Sequence, residues 1–185
     1  MPSITPDRKD LLETVVADMG RAVPVGQTYY DEEFLPEKYR NNLLVARWGT
    51  RQITRYPLEE RGASFKADEH VLLEGFDTTR PVGVAVGRGG RIFASLAYMA
   101  HNEGSPVYPS DLIMITRADD EDSHPFEAVD LTTADDATLA KHLTSQSSWP
   151  GRRAHAEMMR RDLGTRRRIL EQQFANPDLG HAKLW

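Results

Sequence analysis

The side chains that could do chemistry in this chain are few, and three of them, two arginines and a histidine, lie in predicted loops. Arg51, Arg80 and His101 lie in the predicted loops 48–51, 77–80 and 98–108. A guanidinium group pairs well with carboxylates. We therefore interpret Arg51 and Arg80 as candidates for binding an anionic cofactor or substrate, and His101 as a third cofactor-binding candidate that would add a polar contact or stack on the ligand. The alternative is that they are ordinary solvated loop residues. No residue is assigned a catalytic role.

Other reactive groups are absent from the sequence or scattered along it. The chain contains no Cys, which excludes thiolate nucleophiles, disulfides and Cys-ligated metals. The sequence has six His residues, and none lies four positions from another His, so we predict no metal site. No Ser lies in the G-x-S-x-G sequence of a nucleophile elbow.

Composition and charge exclude several classes of protein. Apolar residues make up 39% and charged residues 28% of the chain, as in a globular protein. No apolar window is long enough to predict a membrane span, and the first residues lack the apolar stretch of a secretory signal. Residues 134–185 carry an excess of basic residues without interleaved aromatic residues, so nucleic-acid binding is not predicted.

The residue pattern from about Pro24 to Arg117 is typical of short strands separated by turns. Gly89 and Gly90 stand between two of these strands and predict a tight hairpin turn with positive φ. The seven predicted strands are Val25–Tyr30, Leu43–Trp48, Gln52–Leu58, His70–Gly75, Val82–Val86, Arg91–Ala97 and Leu112–Thr116.

Helix signals dominate the rest of the chain. Three or four short helices are predicted after Thr133, with a start at Ser148-Trp149-Pro150 and stops at Gly164 and Asn176. The predicted domains are a helix and linker (1–23), the strand region (24–117), an acidic linker (118–132) and the helical tail (133–185). The chain is thus expected to be mainly β with an α tail.

The strand region contains an internal repeat. Two stretches begin with Pro-Val-Gly, at Pro24 and at Pro81, and each continues as a succession of strands. The first stretch has four strands and the second has three. This pattern predicts a partial β-propeller of about two blades, one complete and one lacking its outer strand. A propeller needs several more blades to close, so the chain is expected to be a piece of a larger protein.

Four segments carry a resemblance to a known family. They are Phe34–Arg40 (FLPEKYR), Arg55–Leu58 (RYPL), Gly62–Phe65 (GASF) and Arg80–Gly87 (RPVGVAVG). They resemble the propeller of pyrroloquinoline-quinone (PQQ)-dependent sugar dehydrogenases of the glucose and sorbosone type. The tail, with Leu143, Trp149 and Arg152–Ala154, is similar to the start of HEAT-type repeats. The pairing is similar to large bacterial membrane-bound dehydrogenase proteins, in which a c-type haem domain follows.

The resemblance implies a function and a location. The parent protein would be a periplasmic or secreted quinoprotein that oxidises a sugar or aldehyde, with PQQ as cofactor. The family's catalytic blades would lie upstream of these residues, so this chain is expected to be inactive alone. The loops with Arg51, Arg80 and His101 would converge near the mouth of the central channel.

An alternative of a different class stays open. Propellers and helical repeats also serve as binding scaffolds, so the alternative interpretation of the chain is a non-catalytic protein-interaction module. Its partner would be the rest of a propeller, or a second copy joined through open edge strands.

Overall fold

The structure is a computed structural model, and it describes residues 15–75, 79–98, 110–119, 130–145 and 147–175. Within them the chain forms nine strands in three antiparallel sheets, followed by three helices. The mainly β class with an α tail is therefore confirmed. Among the described residues, no helix has the length and apolarity required to cross a membrane.

The first sheet has four strands in the spatial order β1-β2-β3-β6. Its strands are β1 (Pro24–Tyr30), β2 (Asn42–Arg47), β3 (Gln52–Pro57) and β6 (His70–Glu74). β2 and β3 pair with Leu44 opposite Arg55 and Ala46 opposite Ile53. Leu44, Ala46 and Ile53 are fully buried, so the two central strands form the core of this sheet.

A short hairpin interrupts the first sheet between its third and fourth strands. It consists of β4 (Glu59–Arg61) and β5 (Ser64–Lys66), with Gly62 at φ +60° in the turn. Nine strands therefore replace the predicted seven. The two strands of this hairpin are short, mostly polar and mostly exposed, so no alternation of apolar residues predicts them.

The other large sheet has three strands in the order β7-β8-β9, and the hairpin β4–β5 is the remaining, two-stranded sheet. They are β7 (Thr79–Val86), β8 (Ile92–Tyr98) and β9 (Ser110–Ile115). Between β7 and β8, Gly89 and Gly90 have φ of 73° and 80°, which confirms the predicted positive-φ turn. The backbone N–H of Gly87 donates to the carbonyl of Arg91 at 2.8 Å and closes this turn.

Three helices pack around a small apolar core. They are α1 (Asp136–Leu143), α2 (Ser148–Arg160) and α3 (Leu163–Phe174). The core consists of Leu131, Leu139, Ala154, Met158 and Ile169. Gly164, predicted as a stop, lies in the first turn of α3 because Asp162 caps that helix two residues earlier through Thr165 N.

Two predicted helices fall wholly or mainly outside the described residues. The helix predicted within residues 1–23 lies mainly outside them, and the described part, Val15–Val23, contains no helix. The last of the helices predicted after Thr133 would follow the stop at Asn176 and lies entirely outside. The HEAT type and the partial propeller stay predictions.

The chain divides into two compact units, each built from separated segments. We call the first the strand unit: Met1–Tyr29, Asn41–Ala85 and Phe93–Ile113. We call the second the helix unit: Tyr30–Arg40, Val86–Ile92 and Met114–Trp185.

Candidate functional site

Two of the three loops predicted to converge meet in the strand unit. The backbone N–H of Gly75, after β6, donates to the carbonyl oxygen of Arg51 at 2.6 Å. A Cβ placed on Gly75 would lie 2.9 Å from the Arg51 oxygen and 3.0 Å from the Thr79 oxygen. The turn between β2 and β3 and the start of β7 therefore share one end of the strand unit, which we call the loop rim (residues 48–51, 75 and 79–80).

Arg80 lies on this rim against Trp48. Its Nη1 donates to the Trp48 carbonyl at 2.9 Å, and its guanidinium carbon is 5.3 Å from the centre of the Trp48 ring. This contact uses one of the five N–H donors of the guanidinium. The stacking fixes the orientation of a half-buried cation that the sequence could place only on a loop.

Arg51 occupies an unusual backbone conformation. Its φ is +59°, in the left-handed region where residues other than Gly are uncommon. The strain is held by the hydrogen bond from Gly75 to its carbonyl. Strained positions of this kind concentrate at functional sites, although they also occur in tight turns. The sequence analysis selected Arg51 for its charge, and nothing in the sequence indicated its conformation.

The third candidate, His101, lies outside the described residues, as does most of the loop 98–108. Tyr98, the first residue of that loop, is described as the half-buried end of β8. The structure therefore brings the loops of Arg51 and Arg80 together and leaves the position of His101 a prediction.

A buried polar network that the sequence analysis missed lies in the same unit. Arg47, at the end of β2, is only 6% exposed and forms an ion pair with Glu69. Its Nη2 donates to the Met19 carbonyl at 3.0 Å, and the Tyr56 hydroxyl donates to Glu69 Oε2 at 2.8 Å. Burial raises the pKa of the Tyr56 hydroxyl. The network ties the segments before β1 and before β6 to the central strands.

Within the described part of the chain, the Nε of Arg47 has no hydrogen-bond partner although the side chain is buried. Removing only one member of a buried ion pair is destabilising, because the other charge then stays buried without its partner. We therefore interpret Arg47 as a structural residue beneath the loop rim. In the sequence, Arg47 is a charged residue inside an apolar strand. This position stands out only once the strand is known to be central in its sheet.

The helix unit contains a second cluster of charged and aromatic groups. Glu32 Oε1 accepts hydrogen bonds from the backbone N–H of Trp149 at 3.0 Å and from Ser148 Oγ at 3.3 Å. These donors lie in the first turn of α2, so a carboxylate 116 residues earlier in the chain caps that helix. Burial raises the pKa of Glu32 against the lowering effect of these hydrogen bonds.

Two arginines flank the ring of Trp149. The guanidinium carbons of Arg88 and Arg153 lie 5.0 Å and 4.8 Å from its centre. The turn that carries Arg88 is itself fixed by the Tyr30 hydroxyl, which donates to the Gly90 carbonyl at 2.8 Å. The arrangement binds the hairpin turn to the start of α2 through cation–π contacts.

No group of three or more His, Cys, Asp or Glu side chains with a geometry for holding a metal ion occurs among the residues that the structure describes. Comparison of the chain with protein-family models, with curated protein sequences and with solved structures finds no match.

Proposed function

We propose that this chain forms part of a β-propeller of the PQQ-dependent sugar or aldehyde dehydrogenase type, to which it contributes two blades and a cationic loop rim. The observation that carries the proposal is the contact between the two Pro-Val-Gly repeats. The first strand of each candidate blade contains one repeat in its N-terminal half, and the two strands belong to different sheets.

The repeats meet at their glycines. A Cβ placed on Gly26 would lie 2.9 Å from the Cα of Gly83 and 3.3 Å from the Val82 oxygen. The innermost strands of a propeller surround a central channel, where blades are closest. Equivalent small residues on the first strands of successive sheets support that arrangement, because only glycine allows two backbones this near to each other.

The loop rim supports the cofactor assignment in part. PQQ is a planar tricarboxylate, and the rim offers the guanidinium group of Arg80 stacked on Trp48, with Arg51 in the adjoining turn. His101 would add a third polar group if its loop joins the rim. The quinone, when bound, would supply the two-electron oxidation, and the protein would supply binding and orientation.

The proposal leaves the catalytic base on other blades. A closed propeller has at least about four blades, and the described strands supply two sheets that fit blades. The remaining blades would come from further chain or from other subunits, and the chain by itself would be inactive. Its resemblance to the sugar dehydrogenase family places the proposed parent protein in the periplasm or outside the cell.

A titration with PQQ tests the cofactor assignment. We expect PQQ to quench the fluorescence of the 185-residue chain, because Trp48 lies on the rim. Arg80→Gln should weaken binding roughly fivefold, the effect of one partly exposed ion pair. The matched control is Arg167→Gln, which removes an 81% exposed arginine of α3. Equal affinity of the two variants, or no quenching by PQQ, would overturn the assignment.

A second candidate function, a protein-interaction module, is favoured by the edge strand β9. Leu112 and Met114 are two positions apart, so they lie on the same side of this strand, and they are 72% and 43% exposed. An exposed apolar edge strand is a template for pairing with another chain. Light scattering tests this reading: a dimer that Leu112→Lys converts to a monomer supports it, and a monomeric parent chain contradicts it.

A further inference from the structure

A stripe of mainly apolar side chains runs along the surface of α3. Leu163 and Phe174, at its two ends, are 77% and 72% exposed. Leu170, between them, is half-buried and packs against the core of the helix unit. We call Leu163, Arg167, Leu170 and Phe174 the α3 stripe. Contiguous apolar surface on a folded unit marks a site of interaction. The inference drawn from it does not depend on the proposed function.

The four residues of the α3 stripe lie on one side of the helix. They are spaced at i, i+4, i+7 and i+11, which confines them to a sector of about 60°, since each residue turns the helix by roughly 100°. The residues that α3 buries lie on another side, and they are Thr165, Ile169 and Gln173. The stripe is therefore distinct from the side that holds α3 in its unit.

An exposed ion pair lies at the middle of the stripe. Arg167 Nε is 2.7 Å from Glu171 Oε1, and the two side chains are 81% and 61% exposed. A pair this exposed contributes little to the stability of the helix itself. Both groups are accessible to a molecule that packs on the stripe, and they offer it one positive and one negative charge, a single helical turn apart.

The α3 stripe is complementary to itself when two copies run antiparallel. Leu163 and Phe174 are equally far from the midpoint of the stripe, and so are Arg167 and Leu170. Two-fold symmetry therefore places Leu163 of one copy opposite Phe174 of the other. Arg167 comes opposite Leu170, so its aliphatic stem can cover that leucine while its guanidinium reaches Glu171 of the second copy. A parallel pair would instead bring Arg167 against Arg167, with repulsion between like charges.

The length of α3 limits the strength of such a contact. From Leu163 to Phe174 the helix advances about 16 Å, at about 1.5 Å per residue. A single pair of helices of this length buries less surface than the roughly 1,200–2,000 Å² of a stable interface. The contact therefore fits a weak and reversible dimer. Because a two-fold contact uses the same surface on both copies, association stops at the dimer.

We propose that the α3 stripe binds the α3 stripe of a second copy of this chain, with the two helices antiparallel and related by a two-fold axis. Leu163 packs against Phe174 at both ends of the contact, and Arg167 pairs with Glu171 across it on each side of the axis. Each protomer thereby covers two large apolar side chains that its own helix unit leaves exposed.

Sedimentation equilibrium of the 185-residue chain between about 10 µM and about 1 mM tests the proposal. We expect a monomer–dimer equilibrium with a dissociation constant on the order of 100 µM, as for a small transient interface. Phe174→Ser should weaken association by at least about tenfold, because it removes an aromatic side chain from both ends of the contact. Phe174 is exposed at the end of α3, so circular dichroism should show an unchanged fold. A monomer at every concentration would overturn the proposal and leave the stripe to another segment of this chain or to a different protein.

Leu112→Ser is the matched control, because Leu112 is an apolar side chain on β9 with the same exposure as Phe174, 72%. It should leave the dimer intact. Arg167→Glu should dissociate the dimer by placing carboxylates opposite each other, and the further change Glu171→Arg should restore it. A dimer that Leu112→Ser dissociates and Phe174→Ser does not would show pairing through β9, which overturns the proposal. A double variant as weak as Arg167→Glu alone would overturn the antiparallel register.

Cross-linking through an introduced thiol measures that register directly. The chain contains no Cys, so one substitution gives one thiol. Residue 167 lies close to the two-fold axis, so Arg167→Cys should give a covalent dimer with a short bismaleimide at concentrations where the parent chain associates. Gln172→Cys is the control, because this exposed residue lies on the opposite side of α3, and it should stay monomeric. Equal cross-linking of the two variants would overturn the proposed contact.

Discussion

Each of the two compact units is stabilised internally by a different kind of contact. In the strand unit, strand pairing between backbones and the approach of Gly26 to Gly83 dominate. In the helix unit, single side chains bind backbone groups that are distant in sequence, as Tyr30 binds Gly90 and Glu32 binds Trp149. The strand unit therefore depends on the absence of side chains at a few positions, and the helix unit on the presence of particular polar atoms.

The largest effect is expected at Gly90, a position of the helix unit that requires the absence of a side chain. Its φ is +80°, and a Cβ would lie 2.5 Å from the Cβ of Phe34 and 3.0 Å from that of Glu32. Gly90→Ala should lower the free energy of unfolding by about 4 kcal/mol, from overpacking and left-handed strain together. Urea denaturation measures this loss.

Gly62→Ala is the matched control for Gly90. Gly62 has φ +60° with no atom near its Cβ position. In this variant only the left-handed backbone conformation of alanine lowers the free energy of unfolding, by about 1 kcal/mol. Equal losses in the two variants would contradict the close packing of the turn against Phe34 and Glu32.

The approach of the two repeats in the strand unit should be nearly as sensitive. Gly26→Ala places a methyl group against the backbone of Gly83 and should cost about 3 kcal/mol. Gly83→Ala meets only the Ser95 hydroxyl, which can rotate away, and should cost about 1 kcal/mol. Gly49→Ala has its nearest neighbour at 3.4 Å and should be close to neutral. Similar stabilities of all three variants would remove the contact on which the proposed propeller rests.

Loss of the Tyr30 hydroxyl should destabilise the helix unit by an intermediate amount. This hydroxyl donates to Gly90 O and accepts from Leu35 N at 3.1 Å, and Tyr30 is fully buried. Tyr30→Phe leaves both partners unsatisfied and should cost about 2 kcal/mol in thermal or urea unfolding at neutral pH.

The pH dependence of Tyr30→Phe provides an internal check. Burial raises the pKa of Tyr30 to about 12, from 10.0. The protonated phenol therefore contributes stability that is complete below pH 10 and is lost as the pH rises towards 12. The difference between the parent chain and the variant should shrink over that range. A constant difference across it would show that the Tyr30 hydroxyl is not buried in the folded chain.

The smallest effect is expected at Glu32, and its sign depends on pH. Burial raises the pKa of Glu32 above its usual 4.5, so the folded chain holds the proton more tightly than the unfolded chain. The stability from this group is complete below pH 4.5 and is lost as the pH rises through the folded-state pKa. Glu32→Gln keeps an acceptor for Trp149 N–H and carries no charge, so its stability relative to the parent chain should increase from pH 4 to pH 7.

Glu32→Ala is the control for this experiment, because it removes the acceptor as well as the charge. It should be less stable than Glu32→Gln at every pH, by about 1 kcal/mol for a lost helix cap. If the two variants unfold identically, Glu32 does not cap α2.

The strands of the larger sheets were predictable because their residues carry local signals. β2, β3 and β8 contain apolar and β-branched residues bounded by turn residues, and the observed bounds differ from the predicted ones by a few residues at most. The hairpin β4–β5 was not predictable, since its strands are held by pairing with each other and by the Lys66–Glu59 ion pair rather than by an apolar face.

The candidate site divides in the same way. The charges of Arg51 and Arg80 identify them in the sequence, but their approach depends on the hydrogen bond from Gly75 to Arg51, which joins residues 24 positions apart. Glu32 was not selected at all, because a glutamate before a loop carries no sign of the helix that it caps more than one hundred residues later.

The sequence by itself determined several local conformations: the strands of the two larger sheets, the positive-φ turn at Gly89-Gly90, and the repeat of Pro-Val-Gly. These follow from side-chain periodicity and from the freedom of glycine, which act over a few residues. Only the tertiary structure decided that Gly26 lies against Gly83, that Arg80 stacks on Trp48, and that Glu32 caps α2. Such contacts join distant segments, and their energies exist only after the chain has brought those segments together.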